Sequence, residues 1–379
     1  MRDAVIVEAV RTPVGRRNAG LAGVHAAELS ATVLGELVSR AGLDPALVDD
    51  VIWGCVSQYG EQSTDIARTA LLSAGWPESV PGVTVDRQCG SSQQAVSFAA
   101  AGVIAGQYDF VVAGGVELMS RVPMGSNVGE GNPFGESFLA RYPRVPHQGT
   151  GAELIAQRWQ LTRTRLDEYA AASHELAAAA QHAGAFDRQI CPVPTAAGEF
   201  GRDEGIRRGT TVEKLAGLKA AFAADGVIHA GNASQISDGS AAVLVTTSEL
   251  AAAHGLTPIA RVHTAVVTGS DPVLMLTGPI AATAKVLSRS GLTLSDIGAF
   301  EVNEAFASVP LAWLADTGAE QKLLNPLGGA IALGHPLGAS GARIATTLVH
   351  HMRDNGIRYG LQTMCEGGGQ ANATIFELV

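Results

Sequence analysis

Residues 37–43 read LVSRAGL and residues 286–292 read VLSRSGL. Each stretch closes a helical pattern on a glycine and leads into a strand pattern. The agreement continues beyond both: Val48 and Ile297 stand five residues after the two leucines, followed by Val51 and Phe300. A period of about 249 residues is far too long for a solenoid, so the reading is a duplicated α/β half. Around each copy, short β-branched runs alternate with helical patterns. That rhythm predicts an α/β protein with mainly parallel strands.

Outward from the first copy, residues 4–9 (AVIVEA) predict a strand. Residues 27–41 predict an amphipathic helix with Leu29, Leu34, Leu37 and Val38 on one stripe and Gly42 just past its end. Strands follow at 50–53 and 83–86, then a helix over 90–105 and a strand at 109–113. Between the copies the chain changes character. From 121 to 151 it is rich in glycine and proline, including Pro123, Gly135, Pro146 and Gly149. Helical patterns at 151–160 and 165–183 come next, then a basic patch of Arg202, Arg207, Arg208, Lys214 and Lys219. This reads as an insertion carried by the first half, which resumes near 240 with AAVLVTT. In a chain of formal charge -10, a local basic patch suits a small anionic ligand. A solvated helix face with ordinary counter-charges is the alternative.

Composition narrows the classes. The chain has 379 residues, enough for two or three domains, and 46% hydrophobic against 16% charged residues excludes disorder. Forty-five glycines with only 5% aromatics suggest close backbone packing rather than a base-stacking surface. With 26 Lys and Arg against 36 Asp and Glu, no nucleic-acid partner is expected. No uninterrupted apolar run approaches the length of a membrane span. The start, Met1-Arg2-Asp3 and AVIVEAV, is too short and too interrupted by Glu8 for a signal sequence. Cys55, Cys89, Cys191 and Cys365 are too sparse for a disulfide framework and lack CxxC spacing for zinc, which fits a reducing cytoplasm.

Two of these cysteines stand in unusual settings. Cys89 lies in VTVDRQCGSSQQAV, at a strand-to-helix junction whose first turn holds Gly90, Ser91 and Ser92. There the positive end of the helix dipole is expected to lower the thiol pKa, and free N–H groups could hold an oxyanion. The competing reading is a buried structural cysteine. Cys365 ends a strand pattern and is followed by three glycines, predicting a thiol open to a close-packed site. Cys55 and Cys191 read as structural. His335 sits between Gly334 and Pro336 within NPLGGAIALGHPLGASGAR (325–343), where glycines let backbones approach closely. GxxxxGK[ST] is absent, so this is no P-loop. Asn303 and Glu304 follow the strand at 298–302; Asn303 reads either as a site residue or as a helix N-cap. All of these stand at strand ends, where open α/β sheets bind ligands.

The chain resembles the thiolases over essentially its whole length. The matching stretches are RTPVG (11–15), the cysteine loop (85–95), AGNAS (230–234), NEAFA (303–307), the GHP-containing 325–343 and CEGGGQA (365–371). The resemblance implies a five-layered αβαβα fold from two duplicated halves plus an inserted loop domain. It divides the chain into residues 1–118 with 238–258, a loop domain at 119–237 that binds coenzyme A, and residues 259–379. It also implies roles. Cys89 carries the acyl group as a thioester, and His335 takes its proton and forms an oxyanion site with a water held by Asn303. Cys365 moves the proton at the substrate α-carbon, and the N–H groups of Cys89 and Gly367 form a second oxyanion hole. His147, Arg207, Phe222, Ala230, Ser234 and Met275 match positions that contact coenzyme A, with Arg207 at a phosphate or the adenine end and Ser234 at the pantetheine amide. Coenzyme A is then substrate and product, with no permanently bound cofactor and no metal. The family further implies a cytoplasmic homotetramer built as a dimer of dimers.

Some positions depart from the short-chain biosynthetic pattern. Gln93 replaces a leucine, Gln148 a methionine and Leu276 a glycine. They tilt the expectation from acetoacetyl-CoA synthesis towards β-oxidation of fatty-acid or steroid side chains. A ketoacyl synthase would pair its cysteine with two histidines or His and Asn, where this chain has Cys365. A non-catalytic acyl-CoA or lipid-binding relative would be expected to lack one of Cys89, His335 and Cys365.

Overall fold

The computed structural model describes residues 2–143 and 147–379; Pro146 of the Gly/Pro-rich stretch lies outside them. In chain order come β1 (Val5–Arg11), α1 (Ala26–Ala41), β2 (Asp50–Gly54), α2 (Ile66–Ser73), β3 (Gly82–Val85), α3 (Ser91–Ala105) and β4 (Val111–Leu118). An inserted segment with α4 (Gln148–Arg158) and α5 (Arg163–His182) precedes β5 (Ser237–Thr246). The second copy then runs β6 (Ala260–Gly269), α6 (Gly278–Ser290), β7 (Ala299–Val302), α7 (Ser308–Thr317), α8 (Leu337–Asn355), β8 (Tyr359–Glu366) and β9 (Gln370–Leu378).

The repeat that opened the sequence is visible in detail. α1 and α6 end on Gly42 and Gly291, both left-handed at φ 66 and 74, a conformation that favours glycine. A single 3-10 turn follows each, then β2 or β7. Val48 and Ile297 close those turns, and both are buried. The sheet runs β7-β8-β9-β6-β1-β5-β4-β2-β3, so β2-β4-β5-β1 in one copy matches β7-β8-β9-β6 in the other. The copies join where β1 pairs β6 through Val5–Arg261 and Ile6–Ala260. β3 pairs β2 in parallel, whereas its counterpart has shrunk to one parallel bridge between Phe300 and Leu324.

The expectation of mainly parallel strands is corrected. Only β2–β3, β2–β4 and β7–β8 are parallel. The pairs β4–β5, β5–β1, β1–β6, β6–β9 and β9–β8 run antiparallel. Strands linked by a crossover helix must be parallel, while β8 and β9, joined by a three-glycine turn, can only form a hairpin. β5 enters after the insertion, which releases it from the crossover constraint.

Alternation along the strands builds the layers. On β4, Val112 and Val116 pack with α1 and α2, while Val111 and Ala113 face α3 and α8. On β9, Ala371, Ala373 and Ile375 join α6 and α7, while Phe376 faces the central helices. The result is five layers: α1/α2, sheet, α3/α8, sheet, α6/α7. Each fully buried leucine of α1, such as Leu29, Leu34 or Leu37, stabilises this arrangement by about 1.5–3 kcal/mol.

The central layer is held at unusually short range. A Cβ at Gly341 would lie 2.1 Å from the backbone N of Gln93, and one at Gly338 2.6 Å from the Val116 carbonyl oxygen. At Gly115 it would meet the Gly338 oxygen at 2.2 Å, and at Gly54 the Ser92 nitrogen at 2.4 Å. The buried Glu117 carboxylate ties the same region, accepting hydrogen bonds from the N–H groups of Val56, Ser57 and Gly338 and from Gln62 Nε2. Because backbone rather than a flexible side chain blocks position 341, Gly341→Ala should lower stability by about 1–3 kcal/mol. Urea unfolding would show this as a lower midpoint at unchanged slope; an unchanged midpoint would contradict the contact.

Candidate active site

The turn before α3 places Cys89. Gln88 adopts φ 51, a conformation that costs a non-glycine residue energy and needs surrounding bonds to hold it. Those bonds are present: Gln88 N–H donates to Asp86 Oδ1, Ser91 Oγ donates to the Gln88 carbonyl, and Arg87 N–H donates back to Ser91 Oγ. Cys89 then stands one residue before the N-cap, Gly90. Its half-buried thiol packs against Val56, Met119 and Leu337.

Leu337 opens α8, and His335 stands one residue before that helix's N-cap, Pro336. Cys89 and His335 thus hold the same position in the two copies. His335 is buried, with Nδ1 2.6 Å from Ser340 Oγ and Nε2 3.3 Å from Asn303 Nδ2. Ser340 gives its own hydrogen to the Pro336 carbonyl, so it accepts from Nδ1–H and leaves Nε2 unprotonated, accepting from Asn303 Nδ2. Burial, reinforced by Arg343, pulls the imidazole pKa down to about 3. The ring is a neutral base of fixed tautomer.

The expected lowering of the Cys89 pKa is not found. Burial and then the Glu366 carboxyl push it up to about 12, outweighing a helix dipole worth about 1 kcal/mol or less. Cys365 is also corrected: it is fully buried rather than open, next to last on β8. Burial, Cys89 and Glu366 hold its thiol well above the ordinary range. Gly367 lies beside the Cys89 turn, since a Cβ there would come 2.8 Å from Gln88 Oε1. Asn303 is not an N-cap, because α7 begins at Ser308 after Ala307. Its Oδ1 is buried and unpartnered. Cys55 and Cys191 are buried, with thiols shifted upward chiefly by burial; Cys55 backs the Gly338 turn, where a Cβ would come 2.7 Å from its Cα.

Around this centre the structure gathers part of the second residue set. His147 caps α4 through Nδ1, and its ring lies 5.7 Å from Phe222, which meets Phe306 edge-on at 5.8 Å. Ser234 N–H donates to the Ala305 carbonyl, two residues from Asn303. Met275, at φ 54, shares an apolar cluster with Phe306 and Cys365. Ala230 is exposed on the same segment as Ser234. Arg207 is exposed and its backbone N–H donates to His174 Nδ1; among the described residues no hydrogen bond or ion pair joins its guanidinium to the others.

The bonds made by Glu304, and several other buried groups, escaped sequence reading. Glu304 accepts from Tyr169, Ser173, Asn325 and the Ile331 N–H, joining α5 to the histidine loop. Asp167 on α5 holds His229 and Asn232, and Asn232 receives the Ala307 N–H. Ser340, four residues past Pro336, was legible only as a possible back-bond to a helix carbonyl. Chemically, the arrangement offers a thiol nucleophile, a neutral imidazole base and a second thiol at the end of an adjoining strand.

Residues 4–249 match the family model for the thiolase N-terminal domain, and residues 256–378 that for the thiolase C-terminal domain. A steroid 3-ketoacyl-CoA thiolase of Mycobacterium tuberculosis is 49% identical over 386 residues, covering 100% of this chain and 94% of that protein. A beta-ketoadipyl-CoA thiolase of Escherichia coli is 42% identical, with 100% of both chains covered. Among solved structures, the Bacillus anthracis acetyl-CoA acetyltransferase superposes with a TM-score of 0.92 at 38% identity, covering 100% of this chain and 99% of that one. With the paired helix starts, the two site cysteines and the neutral histidine already in place, this full-length agreement shows that the chain belongs to the thiolase family of acyltransferases.

Proposed function

We propose that this thiolase works in the degradative direction, cleaving 3-oxoacyl-CoA with coenzyme A through an acyl-Cys89 intermediate. The observation that carries the reading is the placement of Cys89 and His335 at equivalent helix starts, with Nε2 as the unprotonated imidazole nitrogen. The Cys89 sulfur attacks the 3-oxo carbon as His335 takes the thiol proton. The carbon–carbon bond breaks, Cys365 protonates the departing α-carbon, and acetyl-CoA leaves. The coenzyme A thiol then gives its proton to the Cys365 thiolate and its sulfur attacks the thioester; the Cys89 sulfur leaves, takes back the proton held on His335, and the shortened acyl-CoA is released. The N–H groups of Cys89 and Gly367 hold one oxyanion, and His335 with a water on Asn303 holds the other. Both partners rest uncharged, so charge appears only as attack proceeds. The steps call for coenzyme A as substrate and product and for no resident cofactor.

Several finer assignments belong to the same proposal. His147, Phe222, Ala230, Ser234 and Met275 line the coenzyme A path, and Arg207 meets its anionic end. The loop domain spans 119–237, between residues 1–118 with 238–258 and residues 259–379. The name of the steroid 3-ketoacyl-CoA thiolase above supports a steroid-derived acyl chain, with a fatty chain as the other member of the proposed class. Residues Gln93, Gln148 and Leu276 support that choice over acetoacetyl-CoA synthesis. The working form is a cytoplasmic homotetramer; among the described residues no helix is long and apolar enough to cross a membrane. Thiolysis rates across 3-oxoacyl-CoA substrates of increasing length test the substrate class. A sharp preference for acetoacetyl-CoA would overturn the degradative reading.

Cys365→Ala should still take up an acyl group on Cys89 from a simple acyl-CoA, while carbon–carbon cleavage falls by about 10²–10⁴-fold. His335→Ala should slow acylation itself. Peptide mass mapping after acyl-CoA incubation, run beside a thiolysis assay, checks both. Label on Cys365, or loss of acylation in folded Cys365→Ala, would reverse the roles. Separately, Arg207→Glu should raise the KM for coenzyme A, with the effect shrinking as added salt screens the charge. An unchanged KM would remove Arg207 from the binding path.

A further inference from the structure

The mechanism leaves one ionisable group in the centre of the site unused. Glu366 follows Cys365 on β8 and is completely buried, yet among the described residues neither carboxyl oxygen has a hydrogen-bond partner. The other buried carboxylates nearby, Glu117 and Glu304, each accept four hydrogen bonds. Glu366 also lies against the nucleophile's turn. A Cβ on Gly90 would come within 2.0 Å of Glu366 Oε1 and 2.7 Å of Asn372 Nδ2. Only glycine after Cys89 leaves room for this carboxyl.

We propose that Glu366, seated against Gly90 and beside both cysteines with no hydrogen-bond partner of its own, is a positioning residue whose ionisation governs how readily Cys89 and Cys365 give up their protons. The inference rests on the catalytic reading above. A buried carboxyl without donors is costly to charge, and its neutral form leaves nearby thiols free to ionise. Once charged, it opposes a thiolate on either cysteine through a medium that screens poorly. The facing groups are few. Asp86 and Arg87 come from the cysteine turn, Gln370 and Asn372 from β9, and Gly90 from the start of α3. Arg87 favours the charged form and Asp86 opposes it, but burial dominates and places the Glu366 titration at about 8. Below that pH the carboxyl is neutral; above it, the charge raises the cost of each thiolate.

Rates of Cys89 alkylation by iodoacetamide against pH, with the labelled peptide identified by mass mapping, read this coupling directly. In the native enzyme the logarithm of the rate should climb with unit slope, flatten through about pH 8 where Glu366 ionises, and climb again. Glu366→Gln should climb without the flattening and react on the order of 10-fold faster at the alkaline end. Glu366→Asp, which restores a carboxyl, should restore the flattening. A straight native profile, or superimposable native and Glu366→Gln profiles with Cys89 labelled, would overturn the proposal while leaving the catalytic reading intact. A native Cys89 that takes no label would overturn the catalytic reading and this inference with it.

Discussion

Backbone meets backbone at the middle of this molecule, and everything else is arranged around that contact. Gly54, Gly115, Gly338 and Gly341 allow α3 and α8 to begin within van der Waals reach of each other and of the ends of β2 and β4. A Cβ at any of the four would press on backbone atoms 2.1–2.6 Å away, so the elements there would have to shift. These four glycines stand where the lack of a side chain has a geometric use. The large apolar layers on either side supply the stability that a tight, poorly adjustable contact requires.

Buried carboxylates then fix the loops that carry the chemistry. Glu117 gathers N–H donors from both copies, holding the 56–57 loop against the start of α8. Glu304 and Asp167 do the same for the inserted segment, tying α5 to the 325–331 loop and to the 227–232 turn. A carboxylate that accepts several hydrogen bonds in a dry interior is hard to displace, because each donor would be left unsatisfied. The site is thus rigid at its base, with the imidazole tautomer set by Ser340 rather than by solvent.

Much of this was legible in the chain. The duplicated LVSRAGL and VLSRSGL stretches mark the repeat because helix ends obey local rules: a glycine in the left-handed region, then an apolar residue returning to the core. The strand-end position of Cys365 and the helix-start position of Cys89 were legible too, whereas His335 follows a short helix, Ala330–Leu333, rather than the strand end its motif suggested. Strand direction was not. Pairing sense depends on the path of the insertion and on the three-glycine hairpin, neither of which leaves a periodic trace. Nor was the electrostatic balance at Cys89: the motif displays the helix start, but the opposing burial and Glu366 come from a strand about 280 residues away. The hydrogen bonds of Glu117 and Glu304 are likewise long-range, so neither residue announces itself in its own neighbourhood.

The equivalent placement of Cys89 and His335 has a consequence for how such a site can arise. A symmetric pair of identical halves would present the same side chain twice at this junction: two thiols with no base, or two imidazoles with no nucleophile. Only after the copies diverged could one contribute the attacking atom and the other the group that receives its proton. The working centre is therefore a property of the junction and of neither copy alone. It depends on broken symmetry at this pair of helix starts, in a fold whose β2-β4-β5-β1 strand order still matches β7-β8-β9-β6.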